Sequence, residues 1–215
     1  MTNVSAHKGK VQLRRRLFQV GQDALKQEGW RVERVQGTGK SSLRRITKNG
    51  ESKVVTIRTT QDTWIAFPRE RDNSGWVTLS DSDFVMAVSV DDPDEPRFAQ
   101  AHLIDGSEMR DRFDRAYRAR LAAGHSIPER RGVWISLYQE EAKDPVNRVG
   151  AGAGLAHPAI LRVPLDAAES AKDLDCYEAP DSKKGEVPLT IAEAKQRLAI
   201  TFGVAPANVK ITIEA

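Results

Sequence analysis

Two residues on one predicted strand frame the chemistry open to this chain. Val54 to Thr60 reads VVTIRTT, a β-branched run, and the period of two puts Thr56 and Arg58 on one face. A hydroxyl beside a guanidinium can hydrogen-bond an oxyanion. It supplies neither a general base nor a carboxylate ligand for a hard divalent cation, because Arg58 cannot accept a proton and Thr56 carries no acid. Further cations lie close in sequence: Arg44, Arg45 and Lys48 on the preceding run, Lys40 before it, and Arg14, Arg15 and Arg16 in the first predicted helix. Contact with phosphate needs only such cations.

The charge distribution points the same way. The 215-residue chain has a net charge of +3, yet residues 1–60 hold 14 Lys/Arg against 4 Asp/Glu, leaving +10 there and −7 over the rest. A field focused on one part of a protein attracts a polyanion. Three consecutive arginines early in a helix also oppose its dipole, so helix stability does not account for them. The competing explanation is a solvated basic surface without a ligand.

Other chemistries find little support. Gly37-Thr38-Gly39-Lys40-Ser41 resembles the end of a P-loop, but the first glycine of that motif falls on Arg34, and an Asn-Gly turn rather than a helix follows. Gly150, Gly152 and Gly154 do not complete G-x-G-x-x-G and read as a flexible loop. His7, His102, His125 and His157 have no ligand spacing, and Cys176 is the only cysteine, so neither a structural zinc motif nor an intrachain disulfide is expected. No G-x-S-x-G elbow is present. The N-terminal residues lack an apolar signal segment, and the longest apolar run, Phe84 to Val90, is far too short to span a bilayer. A cytoplasmic protein without a membrane partner is expected.

The elements that must position the cations are legible. Leu13, Leu17, Val20, Gly21, Ala24 and Leu25 share a helical face, which predicts a helix over Gly9 to Glu28. Trp30 to Val35 alternates as a strand. Asn49-Gly50 is a type I′ turn signal between Leu43–Lys48 and Val54–Thr60. Strands are predicted at Thr63–Phe67, Trp76–Leu79, Phe84–Val90, Ala99–Ile104 and Gly132–Tyr138. A helix is predicted over Ser107–Ala123, whose Glu108/Arg112, Asp111/Arg115 and Asp114/Arg118 pairs read as a self-neutralised solvent face. Trp30, Trp64, Trp76 and Trp134 fall on predicted strands. Core is their default role, and an exposed one could stack on bases. Glu140 to Glu186 reads as mostly loop, with a short element near Ala159 to Leu165. Thr190 and Glu193 form a capping box for a C-terminal helix, and Val209 to Ile213 alternates as a strand. The expected organisation is a core over 1–142, a loop-rich linker over 143–185 and a helix–strand element over 186–215.

Residues 10–138 resemble the PD-(D/E)XK restriction-endonuclease-like superfamily. Val55-Thr56-Ile57-Arg58-Thr59-Thr60 with Trp64-Ile65-Ala66-Phe67 is similar to its V-x-V-K-T-S…W-x-F strand, Asp83 to Val88 to the next strand, and His102-Leu103-Ile104 with Ser107 to Phe113 to the passage into a helix. The resemblance implies an α/β fold, with a mixed β-sheet flanked by helices around a restriction-endonuclease-like core, to which a small C-terminal helix–strand element is added. Active members place an Asp on one hairpin strand and E/Q-x-K on the next, with Mg²⁺ activating water. Here the Asp position falls at Ser42 to Arg44, and the E-x-K pair falls on Thr56 and Arg58. The implied centre is degenerate, with no catalytic residue and no cofactor expected. Mg²⁺ enters only if Glu33 or Asp62 replaces the lost acid. The resulting expectation is a nucleic-acid-binding module, DNA being the expected form, that uses Arg14, Arg15, Arg16, Lys40, Arg44, Arg45, Lys48 and Arg58. The alternatives are an active Mg²⁺-dependent nuclease, or an assembly subunit whose C-terminal element, Thr190 to Glu214, adds a strand to a protein partner or to a second copy.

Overall fold

The Asn49-Gly50 turn forms as its sequence requires. Both residues adopt positive φ (52° and 82°) and join strand β2 (Leu43–Lys48) to β3 (Glu51–Thr59) in a hairpin whose last pair is Lys48 with Glu51. A computed structural model describes residues 8–35, 42–72, 74–128 and 131–165. Before the hairpin come helix α1 (Lys8–Gln27) and strand β1 (Arg31–Arg34). After it come β4 (Trp64–Pro68), β5 (Phe84–Val90), β6 (Phe98–Asp105), α2 (Gly106–Ala122), β7 (Gly132–Ser136), a short α3 (Ala153–Ala156) and β8 (Leu161–Pro164).

The fold is α/β with a mixed sheet. Six strands run in the order β1-β2-β3-β5-β6-β8. Only the β3–β5 pair is parallel; the other neighbours are antiparallel. β4 and β7 form a separate antiparallel ribbon, with Ala66 opposite Trp134. Among the described residues no helix is long and apolar enough to cross a membrane.

The sheet's two faces have different partners. α1 lies against β1, β3, β5, β6 and β8. Its Gly21 closes onto Ile57, Met86 and Val88, which the register places on one face. The opposite face carries Val85, Ala87 and Ile104. These pack with Met109, Phe113 and Ala116 of α2 and with Ile65, Phe67, Val133 and Ile135 of the ribbon. Burial alternates along β4, so Ile65 and Phe67 point into this core while Trp64, Ala66 and Pro68 point away.

Several expectations shift. Trp76 to Leu79 is not a strand: Trp76 makes an isolated bridge to Arg69 and the chain turns beyond it. Gly150 to Gly154 is buried rather than a loose loop. The Gly152 and Gly154 N–H groups donate to the Ser136 and Leu137 carbonyls at 2.9 and 2.8 Å. A Cβ at Gly150, where φ is +80°, would sit 2.4 Å from the Arg112 carbonyl oxygen. The short element near Ala159 to Leu165 is β8, which pairs with β6. On α2 only Glu108/Arg112 forms an i,i+4 ion pair (2.9 Å). Arg115 reaches out to Glu141 (3.0 Å), and Asp114 accepts from the Trp76 indole (2.8 Å), so this face binds its own chain. The capping box, the C-terminal strand and the glycine-rich stretch at 37–41 lie outside the described residues.

At Gly21 the absence of a side chain sets the helix–sheet separation. Its hypothetical Cβ already meets the Ile57 and Val88 methyls at 3.0 Å. Gly21→Leu should therefore lower the unfolding free energy by about 1–3 kcal/mol through overpacking, despite leucine's better helix propensity, as read from urea denaturation midpoints.

Candidate anion site around Arg58

Arg58 and Thr56 lie on the α2 side of β3, two residues apart, and the same turn meets both. The Arg58 Nη2 donates to Thr78 Oγ1 at 2.9 Å and approaches the Val77 carbonyl oxygen at 3.4 Å. Thr56 Oγ1, fully buried, lies 3.3 Å from Thr78 Oγ1 and 3.4 Å from Ser42 Oγ. The Arg58 guanidinium also stacks on Phe67 of β4, 4.4 Å from the ring centroid. Three uncharged groups thus hold the cation. No carboxylate hydrogen-bonds or ion-pairs with it among the described residues.

The guanidinium is strongly perturbed. Burial, reinforced by repulsion from Arg14, pushes its pKa down to about 10. Nε is buried without a hydrogen-bond partner, whereas Nη1 has no hydrogen-bond partner among the described residues and is not sealed from solvent. A half-buried arginine repelled by another arginine, with no acidic partner among the described residues, is electrostatically unfavourable in the absence of an anion.

The turn that holds Arg58 is itself strained. Thr78 has φ +69°, a conformation that costs about 1–3 kcal/mol for a residue of this kind. Its neighbours fix it there. Ser82 Oγ donates to the Thr78 carbonyl at 2.7 Å, Ser80 Oγ accepts from Trp76 N–H at 2.8 Å, and Arg110 donates to the Leu79 and Ser82 carbonyls at 3.1 and 2.9 Å. Asp83, at the opposite end of β3 from Arg58, brackets Val54: its N–H donates to the Val54 carbonyl (2.8 Å), and its carboxylate accepts from Val54 N–H (2.7 Å).

The other candidate residues do not gather on one surface. Arg14 and Arg15 are exposed on α1, and Arg16 is half-buried beside them. Arg44 lies on the α1 side of β2, 4.8 Å from the Phe18 ring centroid, and Lys48, on that same side, donates to the Glu28 carbonyl. Arg45 points to the opposite side and approaches Ser52 Oγ at 3.4 Å. Lys40 lies outside the described residues. Only Arg14 acts electrostatically on Arg58. The two acids considered as relocated ligands are engaged elsewhere: Glu33 pairs with Arg31 (2.7 Å), and Asp62 accepts from Thr60 Oγ1 (2.6 Å) and Trp64 N–H (2.7 Å). Among the described residues no group of three or more His, Cys, Asp or Glu side chains is placed to hold a metal ion.

Sequence patterns miss Thr78 and Ser42 because neither belongs to a motif, and a left-handed threonine has no compositional signature. They also miss a second buried network. His102 Nδ1 lies 2.7 Å from the His157 carbonyl oxygen, which can only accept, so Nδ1 carries the proton. Nε2 must then accept from Tyr138 O–H (2.8 Å), and Tyr138 in turn accepts from Ser89 O–H (2.5 Å). His157 Nε2–H donates to Glu108 (2.7 Å). Burial disfavours the charged Glu108, but hydrogen bonds from Arg112 and His157 outweigh it and hold its pKa below the ordinary value. This cluster is fully satisfied, unlike the one at Arg58.

No protein-family model, curated protein or solved structure matches this chain.

Burial holds the His102 pKa below its ordinary value. The unfolded chain therefore binds the proton first, and stability is lost as pH falls from about 6.5 through the lower folded value. The thermal midpoint should drop between pH 7 and pH 5. His102→Gln should flatten that part of the profile, although it lowers the midpoint at pH 7. An unchanged slope in this variant would show that another group sets it.

Proposed function

We propose that this protein is a nucleic-acid-binding module with a restriction-endonuclease-like but catalytically degenerate core. It grips phosphate through Arg58 and the basic N-terminal third. The observation that carries the reading is the environment of Arg58: a half-buried guanidinium held by Thr78 and Phe67, with no carboxylate partner among the described residues and with Arg14 repelling it. A phosphate oxygen at Nη1 relieves both the missing counter-charge and the repulsion between the two arginines. The mixed sheet with its helices is compatible with the α/β class that this reading requires.

The E-x-K positions of an active relative fall on Thr56 and Arg58, and its Asp position falls at Ser42 to Arg44, where no acid stands. The contacts of Thr56 and Arg58 are to hydroxyls, a carbonyl and an aromatic ring. This constellation stabilises a bound anion and offers no base to deprotonate water. Duplex DNA is the expected form of the ligand, with weak sequence selectivity, because cations that meet phosphates carry no base information.

The test is affinity for duplex DNA at two salt concentrations. Binding should weaken steeply with salt. Charge reversal at Arg14, Arg15, Arg16, Arg44 and Arg45 should weaken it for all sequences. It should also flatten the salt dependence, by about 0.9 in logarithmic slope for each phosphate that is no longer neutralised. Absence of binding at low salt overturns the reading.

Arg58→Met separates function from stability. Removing a desolvated cation that lacks a counter-charge should leave the thermal midpoint unchanged or raised, while DNA affinity falls about tenfold. A large drop in stability with affinity intact would make Arg58 a structural residue.

A further inference from the structure

The ribbon formed by β4 and β7 is apolar on both faces. Its inner face is core. Its outer face carries Trp64, Ala66 and Pro68 of β4 opposite Ser136, Trp134 and Gly132 of β7. Trp134 is 41% exposed and is the only aromatic among the large exposed hydrophobic side chains of the described residues. Trp64 is half-buried and stands diagonally across the ribbon from it, about 7–8 Å away along the backbone. The two indoles make no ring contact with each other, and Trp134 is the more open of the two. Ala66 lies directly opposite Trp134, and Gly132 lies beyond Trp134, opposite Pro68, where a Cβ on the glycine would come within 3.1 Å of the Ala66 methyl.

Its border is cationic. Arg120 donates to the Trp134 carbonyl (2.6 Å) and the Ala116 carbonyl (3.0 Å) and has no acidic partner among the described residues. Exposed Arg131 immediately precedes β7, and its side chain likewise has no acidic partner among the described residues. Asp62, two residues before Trp64, is committed to Thr60 Oγ1 and Trp64 N–H in its own loop. An exposed indole beside guanidinium groups that have no acidic partner among the described residues complements a ligand that combines flat rings with negative charge.

We infer that the outer face of the β4–β7 ribbon is a stacking platform for the unpaired bases of single-stranded nucleic acid, with Trp134 as its principal ring and Arg120 and Arg131 meeting the adjacent phosphates. The inference rests on the proposed nucleic-acid-binding function and adds a second contact surface to it. Duplex DNA shields its base faces by stacking them internally, so this face discriminates in favour of single strands. The Arg58 site responds only to phosphate.

The test compares the full-length protein with Trp134→Ala, Trp134→Phe and the five-arginine charge reversal. Each is titrated with oligo(dT) and with a duplex of equal length at one low salt concentration. Because the Trp134 ring points away from the core, Trp134→Ala should fold with an unchanged thermal midpoint. It should bind oligo(dT) at least fivefold more weakly and duplex unchanged, and it should forfeit part of the tryptophan-fluorescence quenching that oligo(dT) produces. Trp134→Phe should retain most of the single-strand affinity. The charge reversal should weaken both ligands together. Equal oligo(dT) affinity in wild type and Trp134→Ala, with duplex binding intact, overturns this inference alone. Failure of the wild-type protein to bind either ligand at low salt overturns the underlying function. If Trp134→Ala instead abolishes a concentration-dependent self-association of the wild type and leaves oligo(dT) affinity unchanged, the face is covered by a second copy and the inference fails.

Discussion

The parallel pairing of β3 with β5 is the constraint on which the site depends. An antiparallel neighbour can follow a tight turn, but a parallel one obliges the chain to leave the end of β3 and return to the start of β5. Residues 60–83 make that journey across one face of the sheet. On the way they lay down β4, which puts Phe67 over Arg58, and the Trp76–Ser82 turn, which puts Thr78 against both Arg58 and Thr56. Asp83 closes the excursion by bracketing Val54 and accepting the Gly106 N–H at 2.7 Å, so the returning chain is pinned to the strand it left. The left-handed Thr78 persists because the excursion is anchored at both ends.

Two buried polar clusters sit on this same face and differ in one respect. Around His102 every donor has an acceptor: the Ser89 hydroxyl, the Tyr138 hydroxyl and both ring nitrogens are used. Around Arg58 the hydroxyls are matched, but the charge is not, and Nε has no partner. Satisfied networks rigidify a core, whereas an uncompensated cation costs stability that folding alone does not return. That asymmetry separates an architectural cluster from the proposed ligand site more sharply than residue type does, since a histidine–tyrosine–serine chain looks more like chemistry in sequence than a lone arginine does.

Local signals make much of the frame legible. The Asn49-Gly50 hairpin, the apolar face of α1, the strand at Phe84 to Val90 and the helix expected over Ser107–Ala123 follow from turn chemistry and periodicity. The failures are non-local. Trp76 to Leu79 has strand composition, but the serines that follow it hydrogen-bond the backbone of a turn. The i,i+4 arithmetic of α2 pairs Asp111 with Arg115 and Asp114 with Arg118, yet Arg115 finds a bidentate acid in Glu141, and Asp114 finds an indole. Gly150 to Gly154 reads as flexible, because no sequence pattern tells that its backbone passes against α2 and Tyr138. Of the site, Thr56 and Arg58 sharing a face is readable from period two. That Phe67 and Thr78 cover them requires the crossover.

β4 links the two surfaces through the same period of two. Its odd-numbered residues Ile65 and Phe67 face the core and Arg58, while Trp64, Ala66 and Pro68 face outward beside Trp134. A one-residue slip of β4 against β7 would turn every one of these side chains to the wrong face, burying Trp64 and stripping Arg58 of its ring. Ile65 and Phe67 in the core hold that register, supported by Val133 and Ile135 across the ribbon and by the edge-to-face contact of Phe67 with Phe113 (5.1 Å). The packing that stabilises the ribbon is therefore also what aims Arg58 inward and the indoles outward. Conservative core changes at Phe67 therefore disturb both the guanidinium stacked on its ring and the outward placing of the indoles.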